Sequence, residues 1–402
     1  MTREREDLNP YVGKELTVIA WIWARTVNSP NPVCQNARIP LVRSFMLSRK
    51  KGREVWVKPE VNGNEIRYKI CFGTPPEDFI SGTISKGMAH CILSGSTFKS
   101  SYIMEEGNKG RVGNTLMAVA CEGKRGRVYL EASQLPGILE IERDSLWKPE
   151  TKIPQHRVDY GTPAYGLTDL GSLFLTRQLA SLNTFSSVLA GLSERIRGDF
   201  SKAGISGGNP KGYASAISVY LSFAINRSAD RGSTICTWDS SPKMEALRNT
   251  FGRQVIPMTW DYAEGNPFSK SSGNFLNNID FIYKSILNFP RAINGFVSQE
   301  NASNQVVSEN KVISTDPPYY DNIGYADLSE FFYAWMRPNL REHYPDVFAT
   351  LSVPKIDELI VTPGKNKKSD NFKDDEFFIS GMREAMQNVC NQSHPAFPVS
   401  IY

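Results

Sequence analysis

Asp316-Pro317-Pro318-Tyr319 is the stretch of this chain whose residue types and spacing are best suited to chemistry. A flat exocyclic amine is a poor nucleophile, because its lone pair is delocalised into the ring. A catalyst must draw both amine hydrogens onto acceptors while an electrophile approaches. Asp316 offers a carboxylate, and the carbonyl of Pro317 offers a second acceptor beside it. Each proline fixes its own φ near about −65° and has no N–H to compete. Tyr319 supplies an aromatic face on which a base swung out of a duplex can stack. Asp-Pro-Pro also occurs in ordinary turns, where the Asp side chain caps and Pro presets φ, so the elements around the motif must decide.

Upstream, Lys311, Val312, Ile313 and Ser314 form a short apolar-centred run, which predicts a strand ending at the motif. Open α/β sheets bind ligands at that end of their strands. Downstream, Asp327-Leu328-Ser329-Glu330 reads as a capping box with Asp327 as N-cap, opening a helix that carries Phe332, Trp335 and Met336 on one face. Pro338 is expected to kink or end it.

A chain of 402 residues exceeds what one core usually organises, so more than one domain is expected. Its formal charge of +4 permits nucleic-acid binding without arguing for it. The first ten residues lack an apolar targeting core and no stretch is long enough to span a membrane, so the expected location is cytoplasmic. Cysteines at 34, 71, 91, 121, 236 and 390 are scattered, as in a chain kept reduced.

Residues 1–135 read as β-rich, with strands at 55–57 and 66–70 around the hairpin signal Asn62-Gly63. The basic cluster 43–53, interleaved with Phe45 and followed by Trp56, offers either a phosphate-tracking surface or a solvated hairpin face. The basic run 123–127 before strand-like Val128-Tyr129-Leu130 carries the same two readings. Residues 136–165, with Pro136, Pro149, Pro154 and Pro163, read as a linker. Residues 166–290 read as a helical segment, with helices over 173–192 and about 214–229, the second with Ala216, Val219, Tyr220, Phe223 and Ala224 as core. Gly107, Gly110 and Gly113 read as a surface loop, and 206–210 as a linker. Residues 291–402 hold the motif, a helix over 376–389 and a final strand from Pro398.

The run 315–332 resembles the signature of large adenine-specific DNA methylases that carry an inserted zinc ribbon and occur near anti-phage defence loci. The blocks 20–27, 249–254 and 266–274 resemble further landmarks of that family, so the likeness covers nearly the whole chain. It implies an α/β fold with a partial Rossmann-like methyltransferase sheet, a β-rich N-terminal insert and a helical middle segment. It also implies S-adenosylmethionine as methyl donor, adenine in DNA as acceptor, and Asp316, Pro317, Pro318 and Tyr319 as catalytic residues. Three departures follow. The family's Gly-rich donor turn lies upstream of what this chain resembles, and Asn301 stands where an acidic residue usually faces the donor, so the donor pocket is expected to be incomplete and completed by a second polypeptide. The ribbon's four cysteine positions hold Ser29, Cys34, Cys91 and Ser94, with His90 adjacent. Two thiolates fall short of about four N/S donors, so zinc is not expected, and an apolar or hydrogen-bonded mini-core is the expected replacement. The final strand is expected to leave a sheet edge open to another chain. The alternative function is a non-catalytic nucleic-acid-binding or assembly subunit that kept the motif by descent.

Overall fold

The computed structural model describes residues 5–124, 126–135, 141, 146–154, 160–204, 207–290, 295–321, 323–362 and 372–402. The chain is mixed α/β, with several small antiparallel sheets and one short parallel pair. Residues 136–140, 142–145 and 155–159 of the 136–165 linker and the basic loop at 364–368 lie outside the described residues.

The largest sheet is antiparallel and runs in the order 126–131, 113–123, 18–28, 261–265, with 38–41 also pairing on 18–28. Its central strand, Val18–Asn28, is mostly buried, which suits the apolar and aromatic run that forms it. A strand from the middle of the chain, Asp261–Gly265, thus completes a sheet otherwise built by the N-terminal part. The hairpin forms, with its turn one residue later than the Asn62-Gly63 signal indicates. Asn62 pairs with Glu65, which makes Gly63-Asn64 the two-residue loop, and Gly63 takes φ +60°. Phe45, read above as a possible stacking group, is buried in the core beneath this hairpin, and Trp56 is buried with its ring edge-on to Phe79 at 4.9 Å. Arg49 donates to Ser240 and Ser44, and Lys50 pairs with Glu245, so part of the basic cluster is engaged within the protein.

Helix α1 spans Ser100–Asn108. Gly107 lies inside it and Gly113 opens a strand, so the glycine series is not one surface loop. Gly107 and Gly166 face each other so closely that a Cβ on either would sit 2.2 Å from the other segment's backbone. Helix α2 spans Thr176–Lys202 and α3 spans Pro210–Asp230. The stretch read as a linker instead starts α3. Asn209 Oδ1 accepts from the backbone N–H groups of Lys211 and Gly212, with Pro210 in the first turn. The buried face of α3 is Ala214, Ser218, Ser222, Ala224 and Ile225, whereas Ala216 and Phe223 are exposed. Small residues let α2 and the later helix Tyr325–Leu340 approach its backbone closely, which outweighed the simple expectation that bulky residues face inward.

Helices α4, Phe275–Leu287, α5, Tyr325–Leu340, and α6, Asp375–Gln392, complete the helical set used below. Leu179, Leu182, Leu189, Ile225, Phe331 and Trp335 form the core that joins α2, α3 and α5. Among the described residues, no helix is long and apolar enough to cross a membrane. All six cysteines are free.

The Rossmann-like sheet order expected from the resemblance is not present among the described strands. What forms is one parallel pair, Ser314–Thr315 beside Ser400–Ile401, extended by a bridge between Lys311 and Ser393. Helices α5 and α6 lie between its two strands in sequence. A parallel connection requires such a crossover.

Candidate functional site: the Asp316 to Tyr319 loop

The strand places the motif. It is shorter than the apolar run suggests, covering Ser314–Thr315, so Asp316 is the first residue past its carboxyl end. Backbone bonds from Ser400 N to Ile313 O at 3.1 Å and from Tyr402 N to Thr315 O at 3.0 Å fix that end. No donor among the described residues reaches the Pro317 carbonyl, and the Asp316 side chain is exposed. Tyr319 is 46% exposed, and its hydroxyl donates to Asp316 Oδ1 at 2.6 Å. This bond to the carboxylate holds the phenol above its ordinary pKa, since losing the proton would set two negative charges side by side. The four sequence-identified residues are therefore contiguous at a strand end, with one carboxylate oxygen bonded to the motif's own tyrosine.

Tyr320 turns the loop. Its φ of +53° is a left-handed conformation that costs a side-chain-bearing residue energy, so surrounding bonds must impose it. Val361 N donates to its carbonyl at 3.1 Å, its hydroxyl donates to Asp375, and its ring meets Phe378 edge-on at 5.3 Å. The loop is thus tied to the first turn of α6, where Asp374 caps by accepting from Phe377 N at 2.9 Å.

Helix α5 starts at Tyr325, with Gly324 as the flanking residue, so Asp327 is not its N-cap. The cap comes from a distant residue. Glu358 Oε1 accepts from Ala326 N at 2.9 Å, supplying the negative charge that a helix start favours. Asp327 and Glu330 instead hold Lys355, at 3.1 and 3.2 Å, and Glu330 also accepts from Val353 N at 3.0 Å. Pro338 lies within the helix, which ends two residues later at Leu340. Burial raises the pKa of Glu358, against the opposing pull of the Ala326 N–H and Lys373. Burial likewise lowers that of Lys373, whose Nζ donates to the carbonyls of Lys355 and Glu358 at 2.6 Å each. Sequence reasoning missed Glu358 and Lys355, because nothing local marks a residue that caps a helix from about thirty positions away.

The four ribbon positions also converge in part. Ser29 Oγ lies 3.4 Å from Cys91 Sγ, Cys34 and Cys91 share one apolar cluster, and Ser94 Oγ bonds Ser96 Oγ at 2.8 Å. Both knuckles keep tight backbone turns, from Ala37 N to Cys34 O at 2.8 Å and from Gly95 N to Cys91 O at 2.8 Å. Burial alone would push the Cys91 thiol up, but hydrogen bonds from Ser29, Ser94 and the Ser94 and Leu93 backbone outweigh it and leave the thiol below its ordinary pKa. Among the described residues, no group of three or more His, Cys, Asp or Glu side chains is placed to hold a metal.

A methyl donor would need a Gly-rich turn after a strand and a polar group facing it. Asn301 is exposed in an irregular segment, and among the described residues no Gly-rich turn follows a strand of the parallel pair. Asn301 lines a cavity of about 380 Å³ together with Asp357, Glu376, Phe377 and Glu384. Comparison with protein-family models, with curated proteins and with solved structures finds no match to this chain.

Proposed function

We propose that this chain is the amine-gripping part of an adenine-specific DNA methyltransferase, in which the Asp316 carboxylate and the Pro317 carbonyl accept the two hydrogens of the adenine amine. The observation that carries the reading is the placement of an exposed carboxylate, a carbonyl without an internal donor and an exposed tyrosine on four consecutive residues past a parallel strand end. The Tyr319 hydroxyl bonds Asp316 at 2.6 Å, so that carboxylate accepts from a donor at the loop surface. An adenine amine would replace the hydroxyl there, and the freed ring would stack on the base. Pro318 stiffens the loop so that the two acceptors stay side by side.

In this reading the fold continues the Rossmann-like sheet beyond the parallel pair through a second polypeptide. That polypeptide carries the Gly-rich turn and binds S-adenosylmethionine, which supplies the methyl group. DNA is the substrate. No step at the donor is assigned to residues of this chain.

The test is co-expression with the polypeptides encoded beside it, followed by digestion of cellular DNA and quantification of N6-methyladenine by mass spectrometry. Wild-type chain gives the modified base and Asp316→Ala does not. Equal modification with Asp316→Ala, or none with any neighbouring polypeptide, would remove the proposal.

A further inference from the structure

Away from the Asp316 loop, a cavity of about 370 Å³ opens where the main sheet meets α2 and α3. That volume lies in the range of small-molecule sites, roughly 300–1,000 Å³. Its apolar wall includes Trp21, Phe185 and Phe268. Phe185 is stacked on Phe275 with centroids 4.0 Å apart and meets Phe268 edge-on at 6.0 Å, while Phe268 itself is 75% exposed. An aromatic side chain left this far in solvent at a cavity mouth is available to cover a flat ligand.

The polar groups of the lining are biased toward donors. Gln178 is 6% exposed; its Oε1 accepts from Leu175 N at 2.8 Å, but its buried Nε2 has no hydrogen-bond partner. A buried, unpaired amide donor costs free energy until something accepts from it. Arg231 donates through Nη1 to Leu247 O at 3.3 Å, and no carboxylate among the described residues pairs with its guanidinium. Gly273, at φ +92°, lets that side chain pass: a Cβ there would stand 2.6 Å from Arg231 Cδ. Glu264 does not offset these donors. Arg177 holds both its oxygens, Trp23 Nε1 donates to it at 2.9 Å, and the Arg177 guanidinium lies 5.1 Å from the Trp21 ring centroid. With Arg177 and Arg231 against Glu264, the charged lining is net positive.

We propose that this cavity binds a purine nucleotide, its heterocycle against the Trp21, Phe185 and Phe268 wall and its phosphate on Arg231. Each element of the ligand answers one of the cavity. Aromatic walls select a flat ring as wide as a purine, and Arg231 selects an anion, which guanidinium binds in a forked geometry. A sulfonium donor would bring positive charge to a lining already net positive. The site does not rest on the methyl-transfer reading. Its nucleotide can be free or one unit of a single strand.

The experiment is calorimetric titration of the intact chain with AMP, adenosine and a 5′-phosphorylated deoxyadenosine trinucleotide. AMP is expected to bind about tenfold more tightly than adenosine, through the Arg231 contact. Arg231→Gln removes that preference, and Phe268→Ala, at an exposed position where folding is not at stake, weakens AMP and adenosine alike. Preference for the trinucleotide assigns the site to a strand and preference for AMP to a free nucleotide, and both outcomes support the chemistry. Absence of heat from AMP and trinucleotide at millimolar concentration, equal affinity for AMP and adenosine in the wild type, or an unchanged preference in a folded Arg231→Gln variant would overturn the site.

Discussion

Replacing Glu264 with Gln tests how the main sheet is fastened to helix α2. Glu264 sits opposite Trp21 on the sheet strand Asp261–Gly265 and its carboxylate is almost fully buried. It takes Arg177 Nε at 3.0 Å and Arg177 Nη2 on its two oxygens, with Trp23 Nε1 at 2.9 Å on the second. Gln keeps the volume but has one acceptor oxygen, so its amide NH₂ must face a guanidinium or indole donor. Breaking one side of a buried ion pair costs about 3–5 kcal/mol, because the remaining charge stays desolvated. The Arg177 side chain keeps 18% of its exposure, so water relieves part of that cost and the lower end applies. At a urea m-value of about 3 kcal/mol/M, a loss of about 3 kcal/mol lowers the unfolding midpoint by about 1 M. Glu264→Leu with Arg177→Met removes both charges and keeps the volume, so the double variant should unfold at higher urea than Glu264→Gln. Both are measured by tryptophan fluorescence across a urea series. A shift below about 0.3 M for Glu264→Gln, or a double variant less stable than the single one, would refute the claim that this pair clamps the sheet to α2.

Tyr319→Phe keeps the ring and removes the hydroxyl that occupies Asp316 Oδ1; oligonucleotides with an unpaired adenine should then bind several-fold more tightly by fluorescence anisotropy, and weaker binding would contradict the placeholder role. Glu358 has a folded-state pKa raised from 4.5, chiefly by burial. A raised pKa means the folded state binds this proton more tightly, so its contribution to stability is present below pH 4.5 and is lost as pH rises through the folded value. Glu358→Gln should remove that downward step from a plot of melting temperature against pH, and an unchanged step would assign it elsewhere. Ser29→Cys with Ser94→Cys places thiols at all four ribbon positions, and Ser29 already lies 3.4 Å from Cys91. Adding Co²⁺ to that variant should give the thiolate charge-transfer and d–d bands of a tetrahedral site, and a spectrum matching that of wild-type chain plus Co²⁺ would show that the two knuckles do not close.

The strand before the motif was legible only in part: the run 311–314 predicts it, but it forms at Ser314–Thr315 and leaves Val312 and Ile313 outside. The stiffness of the Asp-Pro-Pro-Tyr loop is local, since each proline fixes its own φ. The hairpin at Gly63 and the long helix α2 were legible for the same reason, since turn chemistry and 3.6-residue spacing act over short distances. The α5 cap was not. Asp327 and Glu330 have the spacing of a capping box, but Lys355 claims both and Glu358 takes the helix start, and those partners come from a later loop. The buried face of α3 was read only in part: Ala224 is buried as expected, but Ala216 and Phe223 are exposed, and the small Ala214, Ser218 and Ser222 take the inward positions that close helix packing favours. Phe45 and Trp56 looked like stacking groups among basic residues, yet both are buried, Phe45 in the core beneath the hairpin and Trp56 against Phe79. The 370 Å³ cavity gave no sequence signal, since Trp21, Gln178, Arg231 and Phe268 lie far apart along the chain.

The central claim is that Asp316 and Pro317 read an adenine amine, and the most direct measurement compares two oligonucleotides that differ only in that group. One carries an unpaired adenine and the other purine, which lacks the amine, at the same position; binding to the intact chain is followed by fluorescence anisotropy at fixed salt. A site built to accept from the amine should prefer adenine by about tenfold, the value of a hydrogen bond to a charged acceptor. Asp316→Ala should erase most of that preference while leaving affinity for the purine oligonucleotide unchanged. Equal affinity for the two oligonucleotides in the wild type, or an undiminished preference in Asp316→Ala, would contradict the account.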